Sequence, residues 1–511
     1  MADRSPAFST AALIGTGVMG RGIAQLTAQA GLRTLLYDTR PGAAEAARDG
    51  ITQVLQQLAA KGRMSVEAAT AAADRIVVAD RFEDLAAADL VIEAIVERLE
   101  AKQALFTALE ALVSSSCVLA TNTSSLSVTA IAAALKQPGR MAGFHFFNPA
   151  PLMKIVEVVA GARTSEATCA GLCDLTRAFG HRPVRVRDWP GFLINHAGRA
   201  YVTEAMRVLA EGVAAPADID RIMREAAGFR MGPCELLDLT GLDVSHPVME
   251  SIYHQFYEEP RFRPSPETQR RLEAGLLGRK SGEGFYVYRD GRAVVDAEPP
   301  PPADRPLAVW VSRADTAYGE ALVAFLRGLP ASPVIEDTAA PSAEALCLVT
   351  PLGIDATTAA LAEQLDPART VAVDMLFGLT GRITLMHTPL TSAAMRRAAH
   401  GLMASGGQAV TMVADSPGAV AQRVAAAIVN VGCDIAQQRI AAPEDIDPAV
   451  QLGLGYPRGP LALGDALTPA RVLQVLEGLH RQTGDPRYRP SLWLRRRAAL
   501  GVSLTTPDRA D

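Results

Sequence analysis

The chain has 511 residues, 49% of them hydrophobic and 21% charged, with a formal net charge of −5. That length exceeds what one hydrophobic core organises and predicts about three or four domains, and without a dense basic tract nothing recommends nucleic acid as a partner. No run reaches membrane-spanning length, the opening MADRSPAFSTAALIG lacks the pattern of an export signal, and the scattered cysteines 117, 169, 173, 234, 347 and 433 complete no metal site; the expectation is a cytoplasmic protein with reduced thiols, no metal and no membrane partner.

The run AALIGTGVMGRGIAQLTAQAG predicts a short strand, a turn and a helix. Its glycines fall at Gly15, Gly17 and Gly20, with Val18 and Met19 opening the helix. LRTLLYD follows as a second strand ending in Asp38. A glycine fingerprint alone is weak. One that follows a strand, opens a helix and precedes an acid at the next strand's end marks a dinucleotide-binding unit. Gly15 permits the tight turn, Gly17 lets backbone approach a pyrophosphate, and Gly20 lets helix pack on strand, so the helix N-terminus faces the anion. Asp38 would accept from ribose hydroxyls and repel a 2′-phosphate, favouring NAD over NADP, although Arg40 stands nearby. A glycine-rich turn with a capping Asp is the bland alternative.

Further strands are predicted at 75–79, 89–95, 117–123, 141–147 and 154–159, with helical patterns between them. Alternation of this kind implies an α/β fold with a mostly parallel, doubly wound Rossmann sheet, whose ligands lie beyond the carboxyl ends of the strands. Polar residues collect there: Glu97 and Lys102 after VIEAI, Asn122 to Ser125 in TNTSS, and His145 with Asn148 in HFFNP. His145 is the one titratable residue in the apolar run FHFF, and Glu157 arrives on the next predicted strand. Taken alone, a buried histidine satisfied by one hydrogen bond fits that run, and NTSS could simply end a strand and cap a helix. Several such loops beside one nucleotide fingerprint favour a site.

These residues resemble the 3-hydroxyacyl-CoA dehydrogenase family. The likeness runs from the fingerprint through VIEAIVE, ATNTSSLSV, GFHFFNPAPLMKIVEVV and DWPGFLINHAGRAYVTEA to GFRMGPCELLDLTGLD and GRKSGEGFYVY, covering roughly 1–290. It implies NAD as cofactor and an acyl-CoA thioester as substrate, (S)-3-hydroxyacyl-CoA and 3-oxoacyl-CoA being interconverted. It implies Ser124, His145, Glu157 and Asn195 as catalytic residues. The fingerprint residues Gly15, Gly17, Val18, Met19 and Gly20, with Asp38, Glu97, Lys102, Asn122, Ser124 and Asn148, would line the NAD site. Ser124 and Asn195 would also touch substrate, and Lys61 is either a contact for the CoA phosphates or a solvated lysine.

Oxidising a secondary alcohol requires removing its proton while a hydride leaves, and an imidazole is a natural general base. Glu157 would hold the ring's tautomer and stabilise the imidazolium, as the acid does in a Ser-His-Asp system. Ser124 and Asn195 would support the substrate oxygen. Fatty-acid β-oxidation, phenylacetate-type catabolism and butanoate metabolism are the settings the resemblance implies. Its rivals are a 6-phosphogluconate-type dehydrogenase and a non-enzymatic NAD-responsive protein built on a retired dehydrogenase.

The expected domains are a Rossmann domain over 1–187, a helical domain over 188–296, a reduced Rossmann-like α/β domain over 307–410 after the linker AEPPPPADRP, and a second helical domain over 411–511. The last is a repeat: residues 415–465 align with 188–238 at a constant offset of 227, pairing Pro190 with Pro417, Asp220 with Asp447, Gly232 with Gly459 and Asp238 with Asp465. So constant a register marks duplication. Asn195 pairs with Gln422, so the second copy reads as catalytically silent. In shorter family members the single helical domain serves as a dimer interface; the resemblance therefore implies that the repeat covers an apolar surface, and it leaves a homodimer open.

Overall fold

A computed structural model describes residues 8–508. The chain divides into two compact units: residues up to His196 join Gln438–Gly455 in one, while Ala197–Gln437 and Tyr456 onward form the other.

The first unit is built on β1 (Thr10–Ile14), β2 (Arg33–Tyr37), β3 (Ile76–Val78), β4 (Leu90–Glu93), β5 (Val118–Thr121), β6 (Met141–Phe146), β7 (Ile155–Ala160) and β8 (Arg182–Arg187). They form one sheet in the order β3-β2-β1-β4-β5-β6-β7-β8. Every neighbouring pair is parallel except β6 with β7. The helices are α1 (Val18–Gln29), α2 (Ala43–Ala60), α3 (Val66–Asp74), α4 (Leu99–Leu112), α5 (Val128–Ala132), α6 (Glu166–Ala178) and the single turn α7 (Ile194–Ala197).

Strand alternation sends neighbours to opposite faces, and each face has its own core. Leu13, Leu36, Ile92, Phe144, Phe146, Val156 and Val158 pack with Ile23 of α1 and Leu172 of α6. Ala12, Ile14, Leu35, Val91, Leu119 and Met141 pack with Phe106 and Leu109 of α4. Sequence reasoning does not predict β8, because RPVRVR shows the sheet a buried residue only at every second position and reads as polar.

In the second unit α8 (Arg199–Ala210) packs against the helix Val420–Gln437, which is buried along almost its whole length. Arg423 lies at the centre of this contact. Its guanidinium donates to Glu204 (2.8 Å), Glu211 (2.6 Å), Ser416 and the Tyr488 hydroxyl. A buried cation so fully paired fixes register, though its net worth to stability is small because desolvation offsets it.

A short hairpin of β9 (Val287–Arg289) and β10 (Arg292–Val294) precedes a six-stranded sheet in the order β12-β11-β13-β14-β15-β16. Its strands are β11 (Val309–Val311), β12 (Ile335–Glu336), β13 (Leu346–Val349), β14 (Thr370–Val373), β15 (Ile383–His387) and β16 (Val410–Val413). The runs LAVWV, SPVIE, ALCLVT and TVAVDM read as strands from sequence and are joined here by β15 and β16, and β14 runs antiparallel to β15.

Among the described residues, no helix is long and apolar enough to cross a membrane, and no group of three or more His, Cys, Asp or Glu could hold a metal ion.

Candidate active site

The turn after β1 shows why three glycines stand there. Gly15 has φ +91°, and a Cβ on it would stand 2.5 Å from the Ala94 carbonyl oxygen; one on Gly20 would overlap the Gly15 carbonyl at 1.9 Å. Gly17, the N-cap of α1, has nothing within 4 Å of where a Cβ would be. Two glycines therefore serve packing and the third faces open space, beside exposed Val18 and half-buried Met19, at a helix N-terminus suited to an anion. That cradle fits the pyrophosphate of a dinucleotide.

Asp38 directly follows β2, and its carboxylate is already engaged. It accepts from the Thr16 backbone N–H (2.9 Å) and hydroxyl (2.8 Å), and from the Arg40 N–H (3.0 Å), Nε (3.1 Å) and Nη2 (3.1 Å). Burial works to raise its pKa, yet the Arg40 and Thr16 hydrogen bonds outweigh it and hold the carboxyl well below the usual range. The Arg40 that the sequence places nearby thus lies directly on this carboxylate.

Beyond β4 the structure ties Glu97 to the serine-rich loop. Glu97 Oε1 accepts from the Thr123 hydroxyl (2.7 Å) and from the backbone N–H groups of Ser124 (2.9 Å) and Ser125 (3.0 Å). Burial opposes its ionisation, but the Thr123 hydroxyl, the Lys102 ammonium and the Ser124 N–H prevail, so its pKa is lowered. Lys102 itself is buried. Its Nζ lies 2.5 Å from Glu93 Oε1 and 3.3 Å from Glu97 Oε2. Glu93, a buried carboxylate that sequence reasoning passed over inside VIEAI, also accepts from the Ile95 N–H and the Thr121 hydroxyl. Glu93 and Lys102 thus brace the strand ends from behind. Asn122 does similar work, accepting from the Phe146 N–H at 2.9 Å and so joining the ends of β5 and β6.

The antiparallel pairing of β6 with β7 sets His145 directly opposite Glu157. Phe144 and Phe146 enter one core; His145 therefore points to the other face, and Glu157, between Val156 and Val158, points with it. Nδ1 of His145 lies 2.6 Å from Glu157 Oε2. Glu157 Oε1 accepts from the Leu193 (3.0 Å) and Ile194 (2.9 Å) N–H groups at the start of α7. Each carboxylate oxygen is thereby assigned, and Nε2 of His145 has no hydrogen-bond partner among the described residues. The rings of Phe147 and Phe192 stand edge-on to the imidazole at 4.5 and 5.6 Å between centroids.

Asn195 follows Ile194 in α7, half-buried, and Ser124 is half-buried at the end of β5 with its N–H held by Glu97. Asp188, which sequence reasoning did not single out, accepts from the Ser127 hydroxyl and the Val128 and Thr129 N–H groups, pinning the loop that follows Ser124 to the chain that leads to α7.

A groove of about 700 Å³ runs along α1. Val18, Gln25 and Leu26 of α1, Ile51, Val54 and Leu58 of α2, exposed Asn148 and Phe179 wall it, with Arg21 and Lys154 as its cations. Lys61 is exposed at the C-cap of α2 and is not part of this wall.

A glycine cradle at the head of a parallel sheet, with a carboxylate-held imidazole at neighbouring strand ends, defines a nicotinamide-dependent dehydrogenase fold. The chain belongs to the 3-hydroxyacyl-CoA dehydrogenase family: residues 10–189 match its NAD binding domain, and its C-terminal domain is matched twice, at 191–288 and 418–505. It is 40% identical over 493 residues to the 3-hydroxyadipyl-CoA dehydrogenase of Escherichia coli (strain K12), covering 96% of this chain and 98% of that protein. It is similar to the crystal structure of 3-hydroxybutyryl-CoA dehydrogenase from Escherichia coli K12 (TM-score 0.84, 39% identity, 96% of this chain and 98% of that one). The (S)-3-hydroxybutyryl-CoA dehydrogenase of Ralstonia eutropha matches over 56% of this chain and 100% of its own (TM-score 0.54, 36% identity).

Proposed function

We propose that the protein oxidises (S)-3-hydroxyacyl-CoA thioesters reversibly to 3-oxoacyl-CoA, with His145 as general base. The observation that carries this is the 2.6 Å contact of His145 Nδ1 with a buried carboxylate. Held that way, Nδ1 is the N–H donor, and Nε2 keeps its lone pair for the proton of a substrate hydroxyl. NAD, bound over the cradle of Gly15, Gly17 and Gly20, supplies the hydride acceptor. Glu157 steadies the imidazolium that forms, while Ser124 and Asn195 orient the substrate oxygen. Glu97 holds the Ser124 loop at the nucleotide side, and Asn148 lines the groove.

The groove along α1 suits the CoA arm, being mainly apolar with Arg21 and Lys154 available to phosphates, while Lys61 stands outside its wall. All six cysteines are free and buried, which suits a reducing cytoplasm. The test is NADH oxidation with acetoacetyl-CoA, followed by kcat/KM across 3-oxoacyl-CoA thioesters of graded length, one of them ending in a carboxylate. Each methylene is worth only about 1–3 kcal/mol. A preference for the carboxylated thioester would assign an adipyl-type substrate, and a preference for four carbons a butyryl-type one. No turnover of any thioester would remove the proposal.

A further inference from the structure

The helix Pro443–Leu454 comes from the C-terminal repeat, yet it lies in the first unit, with the residues of the candidate active site. It is attached there at several points. The Ile440 carbonyl, just ahead of it, accepts from the Arg187 N–H at 2.8 Å, extending the end of β8, and Asp445 pairs with Arg182 at 2.9 Å. Near its far end stands Gly453. Glycine is among the poorest helix formers, so one inside a helix calls for a packing reason. Here the reason is visible: a Cβ on Gly453 would stand 2.7 Å from Ile194 Cδ1 and 2.9 Å from its Cγ2.

Ile194 is fully buried and cannot simply swing into water. Its N–H, with that of Leu193, holds Glu157 Oε1, and the other oxygen of Glu157 holds His145. Asn195 is the next residue. The segment also carries backbone strain, since Phe192 has φ +51°. A non-glycine residue keeps such a conformation only where its surroundings over-determine it. Helix 443–454 is one of those surroundings.

We propose that Gly453 is a positioning residue of the active site: the catalytically silent repeat returns one helix to the first unit, and its glycine seats Ile194 so that the α7 N–H groups hold Glu157 against His145. This rests on the reading of His145 and Glu157 as the proton-transferring pair. The repeat is then kept for its effect on the first copy's chemistry as well as for burial. Displacing a catalytic group by about 1 Å from a distance costs on the order of 10²-fold.

The experiment uses the full-length protein. Gly453→Val should lower kcat for acetoacetyl-CoA reduction about 10- to 100-fold, with NADH affinity by fluorescence titration within about twofold of the parent. It should also change the shape of the kcat–pH profile, which a purely structural role would leave alone. Trimming the neighbour in Gly453→Val/Ile194→Ala should recover most of the loss relative to Ile194→Ala alone. Should Gly453→Val fold poorly, Gly453→Ala with Ile194→Val as its partner gives the same comparison at smaller scale. A folded Gly453→Val with parental kcat and pH profile overturns the proposal. So does a loss of kcat and NADH binding together that trimming Ile194 does not relieve. If His145→Ala and Glu157→Gln keep activity, the reading of the pair has failed instead, and that is seen without any change at Gly453.

Discussion

Replacing Glu157 by glutamine alters no volume and removes one charge, and the surroundings dictate the response. The Leu193 and Ile194 N–H groups both point at Oε1, at 3.0 and 2.9 Å. In a buried site those donors cannot be left unmet. The glutamine must therefore give them its carbonyl oxygen, which turns its NH2 group toward His145. The imidazole can meet that donor only by accepting at Nδ1, which places its proton on Nε2, and a ring protonated at Nε2 cannot serve as base there. The substitution thus inverts the tautomer without disturbing the fold. Loss of a general base costs roughly 10²–10⁴-fold in kcat, about 2.7–5.5 kcal/mol, and the analogous Asp→Asn change in a Ser-His-Asp triad lies near the upper end. The assay is steady-state 3-oxoacyl-CoA reduction by NADH beside equilibrium NADH binding. The expected result is a kcat lower by at least about 10² with NADH affinity nearly unchanged. A glutamine enzyme within threefold of parental kcat would refute the tautomer argument.

His145→Ala should likewise remove about 10²–10⁴-fold of kcat and spare NADH binding; loss of NADH binding instead would place His145 in the nucleotide cleft. NAD should be preferred over NADP in kcat/KM by about tenfold or more, since a 2′-phosphate would stand near the ionised Asp38 and like charges at about 4 Å repel by roughly 1–4 kcal/mol. Equal kcat/KM would show that the exposed Arg40 guanidinium takes over that phosphate. A fragment of residues 1–296 should dimerise or aggregate in light scattering, because it loses the helix that covers α8 and leaves buried Glu204 without Arg423 and Tyr488; a stable, fully active monomer would contradict this.

The parts of the fold and site legible in the sequence are those set by periodicity and spacing. The FHF alternation by itself puts Phe144 and Phe146 on one face and His145 on the other, and a fingerprint between strand and helix announces the cradle. The partner of His145 is less accessible. Glu157 could be placed on the next strand, but only the antiparallel reversal of β6 and β7, the exception in an otherwise parallel sheet, makes the two cross-strand neighbours. The donors that fix Glu157 are backbone N–H groups, which leave no trace in residue identity. Glu93 was hidden for a different reason: an acid inside an apolar strand is indistinguishable from a loop acid until Lys102 is seen to be buried with it. The return of helix 443–454 to the first unit is a tertiary event with no local signature except Gly453.

The second copy keeps the scaffold of the first with different residues at the corresponding positions. Thr384 on β15 is bridged to Thr411, four residues before Asp415, as Glu157 is bridged to Val184, four before Asp188. Across the antiparallel pair, the Asp374 N–H donates to the Thr384 carbonyl, so Asp374 stands where the first copy has His145. Asp415 accepts from the Ala356 and Thr357 N–H groups as Asp188 does from Val128 and Thr129, which sets buried Leu352 at the place of Ser124. Serine, histidine, glutamate and asparagine are thus leucine, aspartate, threonine and glutamine. The vacated space is closed: Gln422 accepts from the Gly353 N–H and donates to the Pro351 carbonyl and to Asp374, whose carboxyl burial pushes up. Gly353 lies so near the Val475 carbonyl that a Cβ would overlap it. The duplication therefore reaches beyond the helices into the small sheet. In this half the amide of Gln422, at the place of Asn195, ties strand, loop and helix together.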